Sequence, residues 1–356
     1  MKNDLLDIYT DYLICSFGQI TATGLSKLLD GAVSHDKITR LLSTNIFTSK
    51  NLWQYIKPTV RQIQSEEGVL IIDDSVEEKA YTDESELICW HYDHCANRSI
   101  KGINLLSCIY HSQGVSMPVG YQLILKTAWE MDKKKGKMKR VCPTSKHQYF
   151  RELVGTSISN GIPFRYVLAD IWFACAENMT FIKTEKNKDF VFPLKDNRLV
   201  ALSEEDKKQG IYVPISSLEL EENQTLQVWL EGVDFPLLLC KKVFRNKDGS
   251  EGVLYLVTSD LDLTASQIQA IYQKRWKVEE YHKSLKSNAS FSKSPSHTIR
   301  TQSNHLYASL CAYVKLERMK MQTKMNHFAM KTKIYQSALA SAYKELLTLK
   351  DMSLPV

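Results

Sequence analysis

The sequence lacks long apolar runs, a leader-like start and closely paired cysteines. No apolar segment approaches the ~20 residues that a membrane-spanning helix needs, and the stretch from Met1 to Asp7 has no signal-peptide core. The eight cysteines occur without any C-x-x-C pair, mostly beside apolar residues. We therefore expect a cytoplasmic protein with buried free thiols, without a membrane span or a disulfide framework.

The composition is that of an ordinary globular protein, but the charge is unevenly distributed. A chain of 356 residues is long enough for two or three domains. Its net charge is +6, yet the stretch from Tyr272 to Lys350 alone contains 15 Lys and Arg against 4 Asp and Glu. This concentration predicts a surface that binds a polyanion, the alternative being a solvated helical face.

Residues 1–65 have the spacing of short helices. Ala22–Leu29 predicts one helix, and Ser34 is placed to cap a second one. This pattern indicates a helix-turn-helix that binds DNA, with Lys37 and Arg40 on the exposed face of the second helix. The alternative is a pair of short helices with no such role.

Apolar runs and turn signals after residue 65 predict the order β-β-β-α-β-α-β. The strands are expected near Val69–Ile72, Ile103–Tyr110, Met117–Leu125, Phe164–Ala169 and Phe190–Leu194, and the helices near Lys146–Ile158 and Ala174–Lys183. Asp73 closes the first strand and Asp170 the fourth. The order resembles the ribonuclease-H-like α/β fold, whose mixed sheet places these two strands side by side, so both acids are expected at one edge.

Residues 195–262 interrupt this alternation. Short β-rich runs separated by turns predict an all-β insertion between the fifth strand and a later helix. That helix is expected from Thr264, which has capping-box spacing to Gln267, to about Ser287. It carries four polar residues on one stripe: Tyr272, Arg275, Glu279 and Lys286.

The residue types on this stripe predict phosphodiester chemistry. A third carboxylate, Glu279, joining Asp73 and Asp170 can hold two divalent ions beside a phosphate group. Arg275 offers a planar fork for phosphate and Lys286 a point charge. The alternative is structural: an i,i+4 ion pair on a helix, and acids that cap turns.

The stripe also resembles the Y-x-x-R-x-x-x-E-x-x-x-x-x-x-K signature of bacterial insertion-sequence DDE transposases of the IS-four-like family. Asp73, Asp74 and Ser75 resemble the first motif of that family, and Tyr166–Phe173 resembles the second. The resemblance spans about residues 65–290, and the β insertion belongs to it. Asp74 competes with Asp73 as the first acid. Trp172 departs from the family's usual small residue, and Trp229 in the insertion is left without a role.

The resemblance implies a transposase that cuts element ends and joins them to target DNA. Asp73, Asp170 and Glu279 would bind two Mg²⁺ ions, with Mn²⁺ as a substitute, while Tyr272 and the two cations of the stripe contact DNA phosphates. The partners would be double-stranded DNA, as terminal inverted repeats and target, and a second copy of the chain in a paired-end complex. Residues 1–65 would bind DNA, 66–290 would be catalytic, and the helical region 291–356 would bind DNA or dimerise.

Two rival functions stay open: a ribonuclease-H-like nuclease or resolvase without strand joining, and a non-catalytic DNA-binding derivative of a transposase.

Two further segments contain residue types that can bind a metal or a nucleic acid. Cys89–Cys95 contains Cys and His, but its spacing is not that of a structural zinc site, and we expect a partly exposed loop. Lys133–Arg140 is a basic loop that follows a DNA backbone or has no specific role.

Overall fold

The computed structural model of the chain describes residues 5–93, 97–133, 136–245 and 249–353. Its first part is helical, as predicted, with α1 (Leu5–Cys15), α2 (Ala22–Leu28), α3 (His35–Thr44) and α4 (Ser49–Ile63). The Ser34 hydroxyl accepts a hydrogen bond from the Lys37 backbone N–H and so caps α3, while Ile38 and Leu42 form its buried face. Two consecutive helices with the predicted cap and turn are therefore present.

A mixed sheet forms the centre of the fold. Its first strands and an adjoining hairpin are β1 (Val69–Glu78), β2 (Cys89–Asp93), β3 (Arg98–Ser112), β4 (Val115–Leu123), β5 (Ala128–Asp132) and β6 (Lys137–Val141). There follow α5 (Lys146–Ser159), β7 (Tyr166–Ala169), α6 (Ala176–Thr180) with a π-helical turn at Phe181–Glu185, and β8 (Asp189–Leu194). The strands are adjacent in the order β4-β3-β1-β7-β8. The α/β class is confirmed, and this order is compatible with a ribonuclease-H-like fold.

β1 is buried at its start and half-buried towards its end. The apolar run Val69–Ile72 is fully buried and pairs in parallel with β7, which confirms that the first and fourth predicted strands are neighbours. The prediction that Asp73 ends the strand is wrong, because antiparallel pairing with β3 carries β1 on to Glu78. Only the parallel pairing stops at Ile72, opposite Ala169.

The strands predicted near Ile103–Tyr110 and Met117–Leu125 are joined by a turn that contains Gln113 and Gly114, as their residue types indicate. Gln113 and Gly114 both have positive φ, at 50° and 77°. A hairpin turn with two such residues matches the right-handed twist of the strands it joins, and glycine adopts this conformation without steric cost.

Two segments predicted as loops are partly strands. Cys89 and His91 are buried in β2, since this strand pairs with β3, whereas His94 and Cys95 lie outside the described residues. The basic segment places residues 137–140 in β6, paired with β5, and its residues 134 and 135 are outside the described ranges. In both cases, pairing with another strand satisfies the hydrogen bonds of the backbone N–H and C=O groups. Nothing in the local sequence predicts this pairing.

Residues 195–262 extend the central sheet. They form β9 (Leu199–Ala201), α7 (Glu204–Gln209), β10 (Val213–Pro214), a 3₁₀ turn at Ile215–Ser217, β11 (Thr225–Leu230), β12 (Leu237–Arg245) and β13 (Glu251–Thr258). β13 pairs with β8, β12 with β13, and β11 with β12. The prediction of an all-β segment is wrong in one respect, the helix α7, which Ser203 caps by accepting from the Asp206 N–H. Of the turn predicted at residues 246–249, only Gly249 is among the described residues, with a φ of 81°.

The helix predicted from Thr264 to Ser287 is interrupted. It consists of α8 (Ala265–Gln273), a 3₁₀ turn at Lys274–Trp276 and α9 (Lys277–Asn288). The capping box at Thr264 is confirmed, with the Gln267 side chain returning to the Thr264 backbone. The single continuous helix is wrong, because a tighter turn divides it at Arg275.

The two ends of the chain pack together. The last helices are α10 (Ile299–Thr323) and α11 (His327–Ser353), and α10 contacts α1, α3, α4 and β4. Lys315 forms ion pairs of 2.7 Å with Asp7 and Asp11, so part of the C-terminal basic charge stabilises this packing. Among the described residues, no helix is both long and apolar enough to cross a membrane.

Candidate metal centre and its surroundings

Two acids lie where β1 and β7 run side by side. Asp73 directly follows the last residue of β1 that pairs with β7, and Asp170 directly follows the last residue of β7. The Asp73 side chain is only 14% exposed. The Asp170 carboxylate accepts hydrogen bonds from the backbone N–H groups of Trp172 (3.1 Å) and Phe173 (3.4 Å), which fix it at the start of the following turn.

Asp74, the competing acid, is engaged elsewhere. One of its carboxylate oxygens lies 2.7 Å from the Lys146 ammonium nitrogen and 2.7 Å from the Asn104 amide nitrogen. Because side chains alternate along a strand, Asp73 and Asp74 extend from opposite faces of β1. The charge of Asp74 is therefore compensated by Lys146, on a face other than that of Asp73.

Glu279 completes a compact group of ligand atoms with Asp73. α9 packs against β1, and Asp73, Glu279 and His282 each offer one ligand atom within 4.8 Å of the others. This is the one such group of three His, Cys, Asp or Glu side chains within the described ranges. Asp170 is adjacent to it but does not belong to it by this distance.

Arg275 lies between the two carboxylates of this group. Its Nη1 is 3.4 Å from Glu279 Oε1 and 3.7 Å from Asp73 Oδ2, and its side chain is 17% exposed. The guanidinium also lies over the Tyr272 ring, 5.8 Å from the centroid. Tyr272, Arg275 and Glu279 of the predicted stripe are thus close together. The 3₁₀ turn orients the Arg275 side chain towards the carboxylates of Asp73 and Glu279.

Lys286 is placed further along β1. Its ammonium donates to the Val76 carbonyl at 3.0 Å and lies 3.7 Å from the Glu77 carboxylate. Lys37 and Arg40 are exposed on α3, a separate element from those that carry the acids. The predicted DNA-binding residues therefore fall in separate places: Tyr272 and Arg275 adjoin the carboxylates, Lys286 lies further along β1, and Lys37 and Arg40 are on α3.

The electrostatics of the acids favour a bound cation. Burial, and after it the neighbouring Asp170 and Asp74 charges, raise the pKa of Asp73 to about 8. Burial also raises the pKa of Asp170. Carboxylates this close oppose one another's ionisation, and a cation reverses this effect by stabilising the charged forms. Carboxylate oxygens are the ligands that Mg²⁺ and Mn²⁺ take in proteins, so the donor set fits a divalent ion.

The sequence interpretation missed His282. This side chain is 7% exposed, and burial lowers its pKa to about 3, which keeps the imidazole neutral. A signal was available: Glu279 and His282 have i,i+3 spacing, and such Glu-x-x-His pairs hold metals in helical carboxylate proteins. The zinc alternative gains no support, since Cys89 Sγ and His91 Nε2 contact each other at 3.3 Å in β2 without further ligands among the described residues.

A cleft of about 700 Å³ opens beside Arg275. Its lining combines cations with exposed aromatic rings, among them Lys242, Phe244, Lys274 and Trp276. Phe244 is 40% and Trp276 61% exposed. Cations attract phosphates, and exposed aromatic faces stack on bases, so the cleft has the chemistry of a nucleic-acid surface.

Comparison with known proteins agrees with this chemistry. The family described as DDE superfamily endonuclease matches residues 1–209, which include Asp73 and Asp170. The family described as transposase DDE domain matches residues 140–315, which include Asp170 and Glu279. No curated protein matches the chain significantly. The narrower IS-four-like family stays a prediction, whereas both matches point to a nuclease-type enzyme. Since the first match covers more than half of the chain, the protein belongs to the DDE superfamily of endonucleases.

Proposed function

We propose that this chain is a cut-and-paste DNA transposase whose metal-binding acids are Asp73, Asp170 and Glu279. The observation that carries the proposal is the approach of Glu279 to Asp73 at the strand edge where Asp170 also lies. Both family matches support a reaction on DNA phosphodiesters. Asp73 is preferred to Asp74 because the charge of Asp74 is already paired with Lys146.

In this proposal the three acids would hold two Mg²⁺ ions, for which Mn²⁺ can substitute. When bound, such ions supply Lewis acidity for the attack on phosphorus and for the departure of the leaving oxygen. A water molecule attacks the phosphodiester at the element end and releases a 3′ hydroxyl. This hydroxyl then attacks phosphodiesters, first to release the element and later to join it to target DNA, each new P–O bond replacing the one that breaks. Arg275 and Tyr272 orient the scissile phosphate, and Lys286 contacts the neighbouring backbone.

The remaining regions are assigned around this centre. Residues 1–65 bind double-stranded DNA at the terminal inverted repeats through Lys37 and Arg40, residues 66–290 perform catalysis, and residues 291–356 support DNA binding or dimerisation. The β-rich segment 195–262 is assigned as the insertion typical of IS-four-like transposases. Two copies act together on paired ends, in a bacterial cytoplasm, because both ends must be processed together.

The test uses purified full-length protein and a plasmid that carries the gene with its native flanks. Wild type, Glu279→Gln and the matched control Glu280→Gln are incubated with Mg²⁺ or Mn²⁺. Glu280 is the exposed neighbour, paired with Lys277 on the surface. We expect metal-dependent cleavage at the element ends and joined products. Glu279→Gln should lose at least about a hundredfold in rate, the order seen when one preorganised electrostatic group is removed, and Glu280→Gln should change little.

Other outcomes separate the rivals. End cleavage without joined products would identify a nuclease or resolvase, and DNA binding without cleavage would identify a non-catalytic derivative. Equal cleavage by wild type and Glu279→Gln would show that Glu279 does not belong to the active site.

A further inference from the structure

His282 has a buried nitrogen that the fold leaves unused. The side chain is 7% exposed, and its Nε2 has no hydrogen-bond partner among the described residues. A buried polar atom without a partner costs about 1–3 kcal/mol. Because the His282 ring also offers a ligand atom within 4.8 Å of ligand atoms of Asp73 and Glu279, the missing partner indicates that something absent from the protein itself completes the site.

Three other histidines are buried among the described residues, and each has partners outside the candidate site. His91 contacts Cys89 Sγ through Nε2 at 3.3 Å. His327, whose Nε2 also has no hydrogen-bond partner, contacts the Ser284 hydroxyl through Nδ1 at 2.8 Å and lies 3.7 Å from the Glu317 carboxylate.

His305 is 0% exposed, and its two ring nitrogens contact the Tyr9 hydroxyl and the Ser290 carbonyl, each at 3.0 Å. His305 therefore has the bonding expected of a structural histidine. His282 differs because a ring nitrogen of it lies within 4.8 Å of ligand atoms of Asp73 and Glu279.

Position on the helix explains how the three ligand atoms meet. Glu279 and His282 are three residues apart on α9 and lie on one face of that helix. α9 packs on β1, which presents Asp73. The ligand atoms of all three residues therefore meet between one helix and one strand.

We propose that His282 is a nitrogen ligand of the divalent cation held by Asp73 and Glu279, and that this makes the site prefer Mn²⁺ to Mg²⁺. The inference rests on the proposed function for the two carboxylates. Mg²⁺ favours an all-oxygen octahedral shell and keeps several waters. Mn²⁺ shares the preference for oxygen ligands, but it is also bound through histidine in carboxylate sites. Paired carboxylate and Glu-x-x-His ligands are used for iron and manganese in helical bundles. The nitrogen thus gives the site a basis for selecting the metal.

The first experiment needs no substitution. Full-length wild-type protein labelled with ¹⁵N-histidine is loaded with Mn²⁺ alone, and nitrogen hyperfine coupling is measured by pulsed electron paramagnetic resonance. We expect a coupling with the ¹⁵N signature, because a ligated histidine nitrogen is bonded to the ion. A Mn²⁺ complex without histidine coupling would overturn the inference whatever any variant does.

Calorimetry with Mn²⁺ and with Mg²⁺ then compares wild type, His282→Gln, Asp73→Asn and Glu280→Gln. We expect His282→Gln to weaken Mn²⁺ binding by ~10- to 100-fold, with a much smaller loss for Mg²⁺, and Glu280→Gln to bind as wild type does. Asp73→Asn should lose both ions. If Asp73→Asn loses Mn²⁺ but His282→Gln binds it unchanged, the histidine is not a ligand while the carboxylate site stands. If Asp73→Asn binds Mn²⁺ normally, the proposed site itself is refuted, and the histidine inference with it.

Discussion

Two groups of buried polar side chains differ in how their hydrogen bonds are satisfied, one on α10 and one where β1 meets β7 and α9. On α10, the Asn304 amide donates to the carbonyls of Leu42 (2.7 Å) and Asn45 (2.8 Å) and accepts from the Phe47 N–H (3.2 Å). At the sheet edge, Asp73 faces other acids, and His282 Nε2 has no partner among the described residues.

The difference distinguishes buried polar groups that stabilise the fold from buried polar groups that are arranged to bind a ligand. Buried hydrogen-bonding groups that are satisfied within the chain stabilise a particular packing, here that of α10 on the α3–α4 connection. Like charges buried together reduce stability and persist where function requires them. Substitutions in the two groups should therefore change stability in opposite directions.

The largest change in stability is expected on α10. Asn304→Ala removes three hydrogen bonds, of which the one to the Leu42 carbonyl is buried and the other two are partly buried, so the free energy of unfolding should fall by about 3 kcal/mol. Urea denaturation measures this. Ser303→Ala, at the half-buried neighbouring position, should cost less than about 1 kcal/mol. Equal losses in the two variants would show that the Asn304 contacts contribute nothing special.

A smaller change of opposite sign is expected at Asp73. Its pKa is raised from 3.8 to about 8, so between these values the folded state binds more protons than the unfolded state, and stability falls as the pH rises. In EDTA at pH 8, Asp73→Asn should raise the free energy of unfolding by roughly 2 kcal/mol and flatten its pH dependence. At pH 4 the two proteins should differ little. Denaturant titrations across this pH range measure the effect.

Asp74→Asn is the matched control for that experiment. It removes a charge that Lys146 and Asn104 compensate, so it should destabilise the protein. If both substitutions stabilised the protein equally, the distinction between the two neighbouring acids would be lost.

The smallest change is expected at Arg275, whose guanidinium separates Asp73 from Glu279. Arg275→Met should lower the free energy of unfolding by about 1 kcal/mol in EDTA, and saturating Mn²⁺ should restore part of this loss, because the ion replaces the missing positive charge. Thermal unfolding with and without Mn²⁺ measures both. Lys277→Met, which breaks only the surface pair with Glu280, should match wild type in EDTA and should gain from Mn²⁺ only what wild type gains by binding the ion. An equal Mn²⁺ gain in wild type, Lys277→Met and Arg275→Met would show that the ion does not replace the charge of Arg275.

Much of the central sheet was predictable because its signals are local. The buried run Val69–Ile72, the turn at Gln113 and Gly114, and the cap at Thr264 each depend on a few adjacent residues. Apolar runs, positive-φ turns and capping boxes act over such short distances. β2, β5 and β9 were missed, since these short segments become strands only through pairing with β3, β6 and β11.

The candidate site was predictable by residue type and only partly by position. Helical spacing singled out Arg275 and Glu279, but it gave no indication of the 3₁₀ turn that redirects Arg275. The i,i+3 spacing of Glu279 and His282 could be read from the sequence as well, yet a histidine on a helix is usually structural. That its Nε2 has no hydrogen-bond partner can be seen only in the folded chain, where α9 packs on β1.

The sequence alone therefore determined the order of the central elements, the acidic residues available for metal binding and the motif spacing on the helical segment α8–α9. These depend on local propensity and residue chemistry. The tertiary structure decided which of Asp73 and Asp74 is compensated by a cation, which histidine joins the carboxylates and how far β1 extends beyond its apolar run. Each of these depends on a partner more than 25 residues away in the chain or on another element, such as Lys146 for Asp74 and β3 for β1, and only folding brings such partners together.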